Sequence, residues 1–436
     1  MTNRLPRYLS YKNSGVDWLG LVPDHWVVLP SKFVIHDFIS GGTPDSGNET
    51  FWTTDNRGIP WVSIGDMTKG FIIRTTEKFI TELGLENKHL QILPPGTLLY
   101  SMYASIGKVA LLDIPAATNQ AILGIIPGPN LTRSFLAYWY MSIEDKIRQI
   151  TNSNTQDNLN ANKVKNIPIF LPPIPEQVNI TRFLNRETAR IDTLISKYKQ
   201  LIELLQEKRS SLISRVVTSG LNPNILSKES GVEWIRMMPK HWGIKRNKWI
   251  YREIDARSVD GKEELLTVSH ITGVTSRTEK NVNMFMAESM EGYKKCKPGD
   301  LAINTMWAWM GALGISQLHG IVSPSYNVYR LRAPGDFHPK YLDYLYRTPQ
   351  HVMEINRYSK GVWSSRLRLY PDEFFLMSTP IPPMDEQIAI VEYLDNKLKQ
   401  TEKMISKIET AIERLKEFRT SLISAAVTGN IDLRGC

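Results

Sequence analysis

The sequence predicts an α+β chain: two globular mixed α/β bodies separated by two long helices that pair as an antiparallel coiled coil, in a pseudo-two-fold and circular arrangement. Three observations predict it. A Pro-hinged heptad helix is written twice, with its hinge motifs 210 positions apart. A body of mixed strand and helix patterns precedes each copy, and a short opening motif precedes each body. The boundaries that follow are 1–171 for the first body, 172–221 for the first helix, 222–380 for the second body, and 381–436 for the second helix and its tail.

The first helix opens with Leu171-Pro172-Pro173-Ile174-Pro175-Glu176-Gln177 and the second with Ile381-Pro382-Pro383-Met384-Asp385-Glu386-Gln387. Both continue without an interior Pro or Gly. Proline at the start with acids in the first turn is helix-start chemistry, because the acids meet the positive end of the helix dipole. Alternating steps of four and three predict one seam through Ile180, Leu184, Glu187, Ile191, Leu194, Tyr198, Leu201, Leu205, Lys208 and Leu212. The second follows Ile390, Leu394, Lys397, Thr401, Met404, Ile408, Ala411, Leu415, Phe418 and Leu422. Such a seam asks for a helical partner. From Glu176 to Thr218 it runs roughly 60–65 Å, longer than a small domain is wide. A homodimeric coiled coil or one strut of a bundle would satisfy either seam alone. The duplication favours the twin, which is coextensive and ends alike: Ser211-Leu212-Ile213-Ser214 against Ser421-Leu422-Ile423-Ser424.

A chain of 436 residues with 42% hydrophobic content suffices for two domains and the helices. No apolar run approaches the ~18–20 residues of a membrane span, and Met1-Thr2-Asn3-Arg4-Leu5-Pro6-Arg7 lacks a signal-peptide core. With only Cys296 and Cys436, neither a disulfide framework nor a Cys-based zinc site is available. The expectation is a cytoplasmic protein with no membrane partner. Net charge is +9, and residues 222–380 hold 22 Lys+Arg against 16 Asp+Glu. That balance favours a polyanionic partner.

The duplication reaches beyond the helices. Ser14-Gly15-Val16-Asp17-Trp18 with Pro23-Asp24-His25-Trp26 recurs as Ser230-Gly231-Val232-Glu233-Trp234 with Pro239-Lys240-His241-Trp242. The bodies themselves share only landmarks: Pro95-Gly96 with Pro298-Gly299, and Gly107 with Gly311. In the first body Gly41-Gly42-Thr43-Pro44 reads as a turn, Ile59 to Asp66 as a strand, Gly96 to Met102 as another, and Phe135 to Tyr140 as the start of a helix. In the second, Leu265–Ser269, Leu301–Asn304 and Tyr326–Arg330 read as strands and Tyr341–Tyr346 as a helix. Trp61, Trp307, Trp309 and Trp363 fit core or rim packing better than base-stacking platforms.

The residues do not assemble into an active site. His25 and His241 occupy equivalent places beside Trp26 and Trp242, which points to a structural part in the repeat. No His-x-x-x-His zinc pair occurs, and neither Gly41-Gly42 nor Gly311-x-x-Gly314 has the flanks of a phosphate loop or dinucleotide turn. Ser14 and Ser230 lack a nucleophile elbow. Pro172-Pro173 and Pro382-Pro383 lack the preceding amide and following aromatic of an adenine-methyltransferase loop, and Pro371-Asp372-Glu373 reads as a helix start in preference to a nuclease acid pair. What remains is recognition. Polar tails precede both hinges, Asn152 to Asn162 and Ser359 to Arg368, with side chains suited to base edges and phosphates.

Two variable bodies alternating with two similar helices, each introduced by Pro-Pro-x-x-Glu-Gln, resemble the specificity subunit of a type I restriction-modification system. Gly41-Gly42-Thr43-Pro44, Trp52 and Ile59 to Asp66 are similar to the opening of many target recognition domains of that family, as is Thr155-Gln156-x-x-Leu159-Asn160 before a hinge. The second body departs from that opening with Glu264 to Ser269 and resembles another recognition class. The resemblance implies two target recognition domains reading a bipartite double-stranded DNA sequence and recruiting two modification (methyltransferase) subunits that bind S-adenosylmethionine. Restriction (endonuclease/translocase) subunits using ATP and Mg²⁺ would join them, and this chain would hold no catalytic residue and no cofactor of its own. The candidate DNA contacts are Lys69, Arg74, Tyr103, Lys108, Asn119, Gln120, Asn154, Thr155 and Asn158 in the first body, and Arg277, Lys294, Lys295, Asn304, Trp309, Ser364, Ser365, Arg366 and Arg368 in the second. A solvated surface role is the alternative for each. Two rival readings stay open: a non-catalytic coiled-coil scaffold for protein partners, and the recognition part of a single-chain restriction enzyme.

In an antiparallel pair the first helix carries the chain out and the second returns it, so the two ends of the chain meet. Strut length then sets the separation of the half-sites, about one duplex turn or ~34 Å. Inserting four residues into each helix adds ~6 Å of rise. The expected outcome is an unread gap wider by one or two base pairs with both half-sites unchanged, checked by mapping methylated sites.

Overall fold

The computed structural model describes residues 6–103, 105–152, 159–279, 289–361 and 367–435. The chain divides into two compact units, one of residues 1–198 with 410–436 and one of residues 199–409. Each contains one body and part of both long helices, which span Ile174–Ser219 and Met384–Val427.

In the first unit a five-stranded sheet runs in the order Ile35–Ser40, Ile122–Pro127, Leu98–Ser101, Val109–Leu112, Ile72–Ile73. It is antiparallel except for its last pair. The hairpin strands Leu98–Ser101 and Val109–Leu112 are buried throughout, which fits their mostly apolar character. A second sheet orders Ala117–Thr118, Ile59–Val62, Lys78–Ile80 and Trp52–Thr53. Residues 59–66, expected as one strand, change element midway: the strand stops at Val62 and a helix covers Ile64–Lys69. Ser63 and Asp66 form a reciprocal capping box there, and such a cap stops an extended run. The helix Arg133–Ser142 lies in the core, with Phe135 to Tyr140 buried against Ile180, Phe183, Leu184 and Ile191 of the first long helix.

The second unit repeats the plan with a four-stranded antiparallel sheet in the order Tyr251–Glu253, Tyr326–Leu331, Leu301–Asn304, Leu313–Ile315. Its core helix is Pro339–Tyr346, and a helix Pro371–Leu376 starts at the expected Pro-Asp-Glu. The paired glycine landmarks are left-handed turn positions, with φ of 85° at Gly107 and 89° at Gly311.

Within each unit the long helices run antiparallel. In the first, Asp192 pairs with Arg419 at 3.0 Å, and Asn179, further back, donates to the Arg434 carbonyl at 3.4 Å. In the second, Arg209 pairs with Glu402 at 3.3 Å, while Gly220, further on, lies beside Glu386. The ends of the chain meet inside the first unit: the Asp432 amide donates to the Pro6 carbonyl at 2.7 Å and the Tyr11 hydroxyl to that of Gly429 at 3.0 Å.

The seam differs from expectation at alternate positions. Leu184, Ile191, Tyr198, Leu205 and Leu212 face inward, but the interleaved places fall one residue later, at Thr188, Ile195, Ile202 and Arg209. Leu194 and Leu201 are exposed. The second helix shifts identically: Leu398, Ile405, Ile412 and Arg419 turn inward, and Met404 and Phe418 face solvent. Adjacent apolar pairs such as Leu194-Ile195 and Leu201-Ile202 satisfy either heptad phase, and burial in each unit chooses between them. Leu398→Ala is accordingly expected to cost about 2–5 kcal/mol. Met404→Ala should stay within about 0.5 kcal/mol. Denaturant midpoints of the two variants check the phase.

Candidate nucleic-acid interface

The frame that carries the candidate surfaces is a clasp made by the hinge motif. Gln177 is fully buried; its Oε1 accepts from the Thr132 amide at 2.8 Å, and its Nε2 donates to the carbonyls of Asn130 at 2.9 Å and Pro172 at 2.8 Å. Gln387 repeats this, accepting from the His338 amide at 2.8 Å and donating to Asp336 at 3.1 Å and Pro382 at 2.9 Å. Beside it Glu176 accepts from Tyr8 and from His25 Nε2 at 2.9 Å, and Glu386 from His241 and from Trp242 Nε1 at 3.0 Å. Burial, with the Glu176 carboxylate second, pushes the Tyr8 hydroxyl well above the ordinary tyrosine range. Each body is thereby fixed to the start of its long helix and to its opening motif.

In the first body the Gly-Gly-Thr-Pro turn and the Asn119-Gln120 turn come together. The Gly42 amide donates to the Thr118 carbonyl at 2.8 Å, Trp61 Nε1 to the Gly42 carbonyl at 3.0 Å, and Thr43 bonds Gln120. Asn119 is committed to its own turn, its Oδ1 accepting from the Ala121 amide at 3.0 Å. Lys69 and Arg74 flank the edge strand Ile72–Ile73, Lys69 paired with Glu77 and Arg74 with Asp113 at 3.3 Å. Tyr103, exposed, and Lys108 lie on the connection of the buried hairpin, where Lys108 meets Glu144 at 3.2 Å. These three ion pairs at the surface contribute little to stability. Asn154, Thr155 and Asn158 lie outside the described residues.

In the second body Asn304, Trp309, Arg368 and Arg277 converge. Asn304 Nδ2 donates to the Tyr326 hydroxyl at 2.9 Å, and the nearby Arg277 draws that hydroxyl's proton affinity down against the larger upward effect of burial. The Trp307 amide donates to the Asn304 carbonyl at 3.0 Å, and the Leu369 amide to that of Thr305 at 3.3 Å, which brings exposed Arg368 to the same connection. Lys295 pairs with Glu263 at 2.9 Å; hydrogen bonds from Ser258 and Lys295 hold that carboxyl at about 2. Lys294 is taken into the core instead, 6% exposed, with its ammonium 3.4 Å from Asn327 Oδ1 and about as close to Asp255, at 3.8 Å. Strand alternation explains it, because Lys294 and Cys296 point inward and Lys295 outward. Ser364, Ser365, Arg366 and Trp363 lie outside the described residues. Trp307, assigned to packing from the sequence, is half exposed, whereas Trp61 is buried as expected.

Residues 35–204 match the model of the type I restriction modification DNA specificity domain. The chain is 28% identical over 235 residues to the type I restriction enzyme MjaIX specificity subunit of Methanocaldococcus jannaschii, covering 52% of each. It thus spans about half the length of that relative. With the EcoKI specificity subunit of Escherichia coli K12 it shares 20% identity across 94% of this chain and 90% of that one. Its fold resembles the crystal structure of the HsdS subunit from Thermoanaerobacter tengcongensis, at 16% identity and a TM-score of 0.53 over 94% of this chain and 98% of that one. The match to that DNA specificity domain covers most of the first body and part of the first long helix. The chain is similar to type I restriction enzyme specificity subunits.

The Gly41 turn is the most constrained part of the first body's surface. A Cβ at Gly41 would stand 2.2 Å from the Asn119 carbonyl oxygen and 2.3 Å from that of Thr118. Gly41→Ala is expected to destabilise the first unit by about 1–3 kcal/mol, read as a lower denaturant midpoint.

Proposed function

We propose that the chain is the sequence-reading, non-catalytic component of a type I restriction-modification complex, each body reading one half of a bipartite double-stranded DNA target. The observation that carries this is one clasp built twice, by Gln177 and Gln387, beneath two unlike surfaces. A scaffold for one kind of partner has no use for that difference, and a reader of two different half-sites requires it. In this reading two modification subunits bring S-adenosylmethionine and the methyl transfer, and restriction subunits bring ATP, Mg²⁺ and cleavage. The present chain supplies orientation and base discrimination, with phosphate contacts from cations such as Lys69, Arg74, Lys108, Lys295 and Arg368 setting affinity.

Among the described residues no helix is long and apolar enough to cross a membrane. A salt titration tests the proposal against a purely protein-binding scaffold. Log affinity for duplex DNA is expected to fall linearly with log salt, and replacing one phosphate-contacting cation by Ala should reduce the slope by about 0.9. Salt-independent binding, or methylation by this chain alone, would overturn the assignment.

A further inference from the structure

The connection between Leu301–Asn304 and Leu313–Ile315 in the second unit carries a surface that packing below it does not explain. Trp307, 49% exposed, stacks on Trp309 with ring centroids 6.3 Å apart and planes 15° apart. Met306 and Met310 flank the pair, and both are exposed. Trp309 is fixed: its Nε1 donates to the Met306 carbonyl at 3.0 Å, and its own carbonyl accepts from Asn356 Nδ2 at 2.7 Å. Trp307 is thus a projecting ring on a rigid backing. Single exposed apolar side chains are ordinary, but a stacked tryptophan pair between two methionines is a built feature.

Charge points to the occupant. No Lys, Arg, Asp or Glu lies between Asp300 and Arg330, so no carboxylate on this stretch repels a phosphate backbone. The Leu369 amide, bonded to the Thr305 carbonyl, holds Arg368 next to the tip, and Arg368 has no acidic partner among the described residues. A stable protein partner would bury roughly 800 Å² of total surface on each side, a broad face of which one hairpin tip makes only a small part. A nucleic-acid base needs only a flat π-face to extend the stack.

We propose that Trp307, backed by Trp309, is an aromatic wedge that inserts against a base step of the half-site bound by the second unit, with Arg368 on the flanking phosphate. The proposal rests on the DNA-reading role above and specifies its means: this half-site is read in part through the ease of unstacking one step. The first body's equivalent connection carries Tyr103 and the paired Lys108, so the two halves read by different physics.

The test uses the whole complex, purified with its modification subunits, and target duplexes bearing 2-aminopurine at successive half-site positions other than the methylated adenine. Salt-dependent binding by the wild-type complex is scored first and tests the DNA-reading role independently. The expected result is a fluorescence rise at one step of the second unit's half-site. W307A should abolish the rise and weaken binding about tenfold, the loss typical of one base stack. W307F should retain part of both, and reading of the other half-site should not change. Salt-dependent binding with no rise at any position overturns the wedge and leaves the DNA-reading role standing. So does a W307A complex that binds and fluoresces like wild type, or one that sheds its modification subunits, which would make the tip a protein contact. If W307A melts early, W307F decides, and an undiminished signal from it overturns the proposal.

Discussion

The buried amide of the hinge motif is the constraint on which each unit depends. Gln177 and Gln387 are fully buried, and each ties three backbone groups from two stretches of chain. A buried polar group left without a partner costs about 1–3 kcal/mol, more than an average hydrogen bond contributes. Glutamine is suited to this because one planar amide offers an acceptor and two donors, whereas the carboxylate of Glu only accepts. The adjacent Glu176 and Glu386 extend the clasp to Tyr8 and His25 and to His241 and Trp242, which explains why the opening motif and the hinge recur together though far apart in the chain.

That coupling separates what could be read in the sequence from what could not. The duplicated helices, their antiparallel pairing and the structural place of His25 and His241 follow from local patterns or from repetition. The heptad phase does not, because Leu194-Ile195 and Leu201-Ile202 present an apolar residue in either phase. The strand expected through Ser63 to Asp66 failed for a different reason: Ser63 and Asp66 form a capping box that starts a helix at Ile64, a local signal that outweighs the apolar run before it.

The candidate surfaces were legible as residue types and much less so as geometry. Lys69, Arg74 and Lys108 are at the surface, but the sequence gives no sign that Arg74 and Lys108 are held by acids as far along the chain as Asp113 and Glu144. Lys294 and Lys295 are chemically identical neighbours, and only the alternation of a three-residue strand sends one inward and the other out. Trp307 reads from the sequence as core or rim packing, and the structure leaves it half exposed. The signal that would have found it is the absence of charge from Leu301 to Tyr329 together with four large apolar side chains in the five residues Met306 to Met310.

The positions of those surfaces explain how two bodies so unlike share one frame. In each unit the central hairpin is buried throughout, Leu98–Ser101 with Val109–Leu112 and Leu301–Asn304 with Leu313–Ile315, so its strands stay mostly apolar. The connection between the strands is less constrained: Met102, Ala308 and Ala312 are buried and Gly107 and Gly311 are left-handed, but the remaining described side chains lie at or near the surface. Composition can therefore change there at little cost to folding, from a tyrosine and a paired lysine to a tryptophan stack. A framework whose buried amides and strands fix the backbone leaves the exposed side chains of its hairpin tips freer to differ between the two bodies than the strands beneath them.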